Sequence, residues 1–95
     1  MAVMMVMEWP GATLAQYDEV RRITRFETEH PDGGIFHVAA MDGELLRVVD
    51  VWESPQQFQA FVDAKLNPAA AEIGITTQPN VSIYPAHNVF NPGAK

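Results

Sequence analysis

The chain has 95 residues, 47% of them hydrophobic and 19% charged, which suits one small domain with a single core rather than two. Twelve acidic against six basic side chains give a net charge of −6, which argues against nucleic-acid binding, a task that needs clustered Lys and Arg. With no cysteine there is no disulfide, no thiolate zinc site and no Cys nucleophile, a composition that fits the reducing cytoplasm.

The opening run, residues 2–9, reads as a strand with Val3, Met5 and Met7 on one face and Met4, Val6 and Glu8 on the other. It lacks a basic leader and stops at Pro10-Gly11, so neither a signal peptide nor a membrane span of roughly 20 apolar residues is expected. Thr13 with Gln16 three residues later has the form of a capping box, in which each side chain satisfies a backbone donor. The helix it starts places Leu14, Tyr17, Val20 or Arg21, Ile23 or Thr24, and Phe26 or Glu27 along one stripe, and His30-Pro31-Asp32-Gly33-Gly34 ends it.

Residues 33–52 then read as a β-hairpin turning at Asp42-Gly43. That turn sets Met41 opposite Glu44, His37 opposite Val48 and Ile35 opposite Asp50. One face carries Ile35, His37, Ala39, Leu46, Val48, Asp50 and Trp52; the other carries Phe36, Val38, Ala40, Leu45, Arg47, Val49 and Val51. Ser54, Pro55 and Gln57 mark a second helix start, with Phe58, Phe61, Val62 and Leu66 as its buried stripe. Asn67-Pro68 is expected to interrupt that helix, with Asn67 capping a short turn that Gly74 closes. A last strand runs from Asn80 to Tyr84 and unevenly on through His87 to Phe90, at an edge or bulged because Pro85 cannot donate to a ladder. Residues 91–95 read as a loose tail.

The order β-α-β-β-α-β is the ferredoxin-like α+β pattern, a four-stranded antiparallel sheet with two helices on one face. Residues 1–95 form one such domain. The face away from the helices is apolar at five or more of its seven hairpin positions, so a homodimer joined sheet to sheet is expected.

The segment from Arg47 to Phe61, with its Asp50-Val51-Trp52-Glu53-Ser54 run and an aromatic Phe58 four residues past the serine, resembles the dimeric α/β-barrel superfamily. Within it, the similarity is to the antibiotic-biosynthesis-monooxygenase-like domains. The resemblance implies a sheet-to-sheet dimer forming an α/β barrel. It also implies a group that includes cofactor-independent oxygenases, haem-degrading enzymes and small-molecule isomerases. Where the oxygenases of that group use an Asn, this chain has Val48. Where the haem degraders use a Trp it has Phe61, and residues 62–76 hold none of the His they need. Trp52 is the family position retained.

His37, Asp50 and Trp52 make the sharpest constellation, with His37 and Asp50 expected as diagonal neighbours on one face. An imidazole exchanges protons near neutral pH and a carboxylate orients it, which makes His37 the candidate base and Asp50 its orienter. Trp52, Tyr17, Phe58, Phe61 and His87 are the candidate substrate-binding residues. No cofactor and no metal is expected, and a His37–Asp50–His87 site would require the last strand to lie beside the other two. The reading that follows is a cofactor-independent oxygenase or isomerase acting on a small aromatic or apolar molecule. The alternatives are a non-catalytic ligand binder and a structural dimer whose interior is filled by Tyr17, Phe26, Trp52, Phe58 and Phe61.

Overall fold

The computed structural model describes residues 1–93. Four strands, β1 (Val3–Pro10), β2 (Gly34–Asp42), β3 (Leu45–Trp52) and β4 (Asn80–Pro85), form one antiparallel sheet in the order β2-β3-β1-β4. Helix α1 (Leu14–Thr24) links β1 to β2. A helical run of α2 (Pro55–Phe61), a π-helical turn (Val62–Leu66) and α3 (Asn67–Glu72) links β3 to β4. This is the expected ferredoxin-like fold.

The register lays side chains in rows across the sheet. On the helix-covered face one row is His37, Asp50, Met5 and Ile83, and the next is Ala39, Val48, Met7 and Val81. The core is centred there: Met5 is fully buried, and Val3, Met7, Trp9, Leu46, Val48, Trp52 and Phe58 are buried around it. On the other face the rows are Phe36, Val51, Met4, Tyr84 and then Val38, Val49, Val6, Ser82. A polar row closes that face, where Arg47 bridges Glu8 and Asp42.

The hairpin turns one residue later than expected. Gly43 and Glu44 form the loop, Asp42 pairs with Leu45, and His37 lies directly opposite Asp50 rather than Val48. Gly43 takes φ 62°, a positive angle that suits glycine at the first loop position. Asp42 stays in the strand because its carboxylate is held by the Arg47 guanidinium at 3.1 Å. Moving both strands by one residue preserves parity, so the faces are as read. Ile35 has no partner, because a bulge separates the Gly34–Trp52 and Phe36–Val51 pairs.

Other boundaries differ too. The Thr13–Gln16 capping box forms in full, but α1 ends at Thr24 and Arg25 turns left-handed at φ 53°. Phe26 therefore lies beyond the helix, and Leu14, expected on the buried stripe, is exposed. At the second start the Ser54 hydroxyl accepts from the Gln57 N–H and donates to the Gln57 side chain, so only half of the box closes onto backbone. Pro68 does not interrupt the helix, and Asn67 is helical and caps nothing. The Asn67 N–H bonds to Val62 O five residues back, and this wide π turn makes room for the proline ring. β4 is an edge strand, as Pro85 requires, but it ends there: Ala86 N–H bonds to Ala2 O, and residues 86–90 leave the ladder. The expected tail is anchored in part, because the Asn91 amide donates to Ile35 O at 3.4 Å; residues 94–95 lie outside the described residues. Among the described residues no helix is long and apolar enough to cross a membrane.

Candidate functional site

Adjacent antiparallel strands bring directly opposed side chains within contact distance, and the observed register does this for His37 and Asp50. His37 Nδ1 lies 2.6 Å from Asp50 Oδ1. The other carboxylate oxygen accepts from the Trp52 indole N–H at 3.0 Å. On the far side of the imidazole, Nε2 lies 2.6 Å from the Tyr17 hydroxyl. Four side chains from α1, β2 and β3 thus form one chain of hydrogen bonds.

A carboxylate only accepts, so Asp50 takes one hydrogen from Trp52 and one from His37 Nδ1. That fixes the neutral imidazole as the Nδ1–H tautomer, and its bare Nε2 accepts the Tyr17 hydroxyl proton. The chain therefore has a direction: tyrosine to histidine to aspartate, with the indole closing the end. Asp50 is buried, whereas the His37 side chain is 30% exposed because β2 is an edge strand. Aromatic rings hold the imidazole in plane. Tyr17 lies nearly parallel to it with centroids 6.0 Å apart, and Phe26 meets it edge-on at 4.9 Å.

These groups form one wall of a cavity of about 260 Å³ between the sheet and the helices. Trp9, Trp52, Phe58 and Phe61 supply much of the rest; Trp52 packs edge-on against Phe58 at 5.6 Å and tilted against Phe61 at 5.8 Å. The interior is therefore not filled by Tyr17, Phe26, Trp52, Phe58 and Phe61, all five of which line open space. Burial pushes the Tyr17 hydroxyl pKa above its ordinary 10.0, opposed by the Arg21 charge and reinforced by Glu27, Asp50 and Asp18.

Of the candidate residues, His37, Asp50, Trp52, Tyr17, Phe58 and Phe61 converge on this cavity. His87 does not: it is exposed beyond β4 and is absent from the lining. β4 lies beside β1, with two strands, β1 and β3, between it and β2, so a His37–Asp50–His87 metal site is not assembled. Among the described residues no three His, Asp or Glu side chains converge.

Trp9, Phe26 and His30 also line the wall, of which only Phe26 was expected to face the interior. Trp9 is buried with its indole N–H shared between the Thr77 carbonyl and hydroxyl oxygens, both at 3.1 Å. Phe26 and His30 come from the loop after α1, where no helical or strand period signals a face. That loop is tied back to α1 by Arg21, which bonds both Asp18 and Glu27.

No family model matches the chain, and no curated protein matches it in sequence. Solved structures share its fold. NE2512, a protein of unknown function from Nitrosomonas europaea, superposes with a TM-score of 0.75 at 15% identity, over 98% of this chain and 96% of that one. SnoaB, a cofactor-independent oxygenase from Streptomyces nogalater, gives 0.68 at 15% identity over 93% and 95%. A protein from Caulobacter crescentus, provisionally named an antibiotic biosynthesis monooxygenase, gives 0.66 at 12% identity over 92% and 91%. The resemblance carried by residues 47–61 is thus matched across nearly the whole chain at the level of fold.

Proposed function

We propose that this protein is a cofactor-independent oxygenase or isomerase acting on a small aromatic or apolar molecule in the cavity between sheet and helices. The observation that carries the reading is the 2.6 Å His37–Asp50 pair set in the wall of an otherwise apolar cavity. His37 is the base, Asp50 orients it and holds its charged form, and Tyr17, Trp52, Phe58 and Phe61 bind the substrate. At about 260 Å³ the cavity lies below the 300–1,000 Å³ typical of drug-sized ligands, so the substrate is small. Removal of a proton leaves an electron-rich anion in a largely apolar cavity. With dioxygen as co-substrate, a deprotonated methylene becomes a carbonyl and the second oxygen atom leaves as water. Without it, the proton returns to a different carbon and the product is an isomer.

The working unit is a homodimer. Met4, Phe36, Val38 and Tyr84 on the open sheet face are 39–50% exposed, an apolar patch that a second copy of the same face covers.

The test is turnover of small phenols and carbon acids, followed by oxygen uptake and by product analysis. His37→Ala lowers kcat by roughly 10²- to 10⁴-fold, the usual contribution of a general base. Asp50→Asn lowers it by at least about tenfold, while ligand binding survives in both. Unchanged turnover in His37→Ala overturns the reading. A non-catalytic binder is the second reading, because Tyr17 already occupies His37 Nε2; it predicts binding without turnover in any variant.

A further inference from the structure

Both ring nitrogens of His37 are taken, Nδ1 by Asp50 and Nε2 by Tyr17, so neither can touch a substrate while the network stands. The Tyr17 oxygen spends its one hydrogen on His37 and keeps its lone pairs. Tyr17 is also among the residues that line the cavity, and it carries the one hydroxyl of the network. We infer that Tyr17 is the catalytic residue that meets the substrate, relaying its proton to His37, and that the substrate is a neutral phenol or enol.

The proposal deepens the base assignment above and rests on it. In the step, the substrate O–H bond breaks and its proton bonds to the Tyr17 oxygen. The hydrogen of Tyr17 passes to His37 Nε2. The imidazolium so formed is held by Asp50, whose other oxygen keeps the Trp52 N–H. The substrate leaves the step as its anion, no electrons change hands, and the reverse step returns every proton. Because Tyr17 gains one proton as it loses another, it never has to ionise. This suits a hydroxyl that burial keeps protonated, even with Arg21 nearby and Glu27, Asp50 and Asp18 around it.

The substrate class follows from the lining. Among the described residues no Arg or Lys lines the cavity, and the network and His30 are its main polar groups among walls such as Met5, Leu46 and Ile75. A carboxylate or phosphate would enter without a fixed cation in the lining to replace its water, an unfavourable transfer. A flat, uncharged ring system with one acidic hydroxyl matches both the apolar wall and the single accepting oxygen.

The experiment uses a naphthol and the corresponding naphthoate as probes on the full-length protein. Naphthol is expected to bind, naphthoate to bind more weakly, and the absorption band of the naphtholate to rise at lower pH on the protein than in buffer. The expected gain in acidity is roughly tenfold or more, the scale of one well-placed charge partner. Tyr17→Phe retains naphthol binding within about tenfold, the loss of one hydrogen bond, but abolishes the acidity shift; His37→Ala abolishes it too. A shift that survives Tyr17→Phe and vanishes in His37→Ala overturns the relay and leaves His37 as the direct base. A shift that survives both overturns the relay and the base assignment together. No shift in the unsubstituted protein overturns the relay, and preferred binding of naphthoate overturns the substrate class. Nitrogen-15 shifts of the His37 ring need no variant: Nδ1–H at neutral pH is expected, and Nε2–H overturns the relay.

Discussion

At the scale of single residues, Tyr17 has a consequence for stability as well as for chemistry. Its folded pKa is raised above 10.0, so the folded state holds that proton more tightly than the unfolded chain does. The sign is therefore fixed: stability is at its full value below pH 10.0 and falls as pH rises from there towards the folded pKa. Denaturation at a series of alkaline pH values is expected to show that fall, and Tyr17→Phe is expected to flatten it. The pairing of His37 with Asp50 was legible in the sequence, because alternation along a strand places them on one face whatever the turn does by an even step. A contact between them, direct or through one water, was within reach of the expected diagonal placement; their direct opposition was not legible. It depends on Asp42 remaining in β2 under the hold of Arg47, a tertiary bond that competes with the turn preference of Asp-Gly. His87, the remaining candidate, lies outside the lining because β4 ends at Pro85 and the chain leaves the ladder there.

At the scale of elements, the strands and helix starts were readable because their signals are local. Thr13 accepts the Gln16 N–H at 3.1 Å while Gln16 Oε1 accepts the Thr13 N–H at 3.0 Å. Thr13→Ala is therefore expected to destabilise the fold by about 1 kcal/mol in urea unfolding. The helix ends were less readable. Arg25 adopts a left-handed conformation that sequence assigns to Gly or Asn, and Pro68 is carried through a π turn where a break is the ordinary outcome. Both departures affect the cavity. The first frees Phe26 to swing under the imidazole, and the second keeps the helix continuous past Leu66, which lines the same space.

At the scale of the whole molecule, one sheet has two employments, the cavity on one side and an open apolar face on the other. Val49 sits in the middle of that open face, paired with Val38 on one side and Val6 on the other. If two copies pair through this face as proposed, Val49→Asp is expected to shift the protein to monomer in sedimentation experiments, since the patch it interrupts holds side chains worth about 1.5–3 kcal/mol each when buried. A monomer in the unsubstituted protein would instead leave that face bare. The sheet order also divides the proton path unequally. β3, with Asp50 and Trp52, is bonded to strands on both sides, whereas β2, with His37, is bonded on one side only. The carboxylate and indole are a fixed mounting, and the imidazole rides on the outermost rail. Anyone re-tooling this scaffold for a different compound should reshape that rail first, because there the geometry of the hydrogen-bonded chain can be adjusted without prying apart the interior.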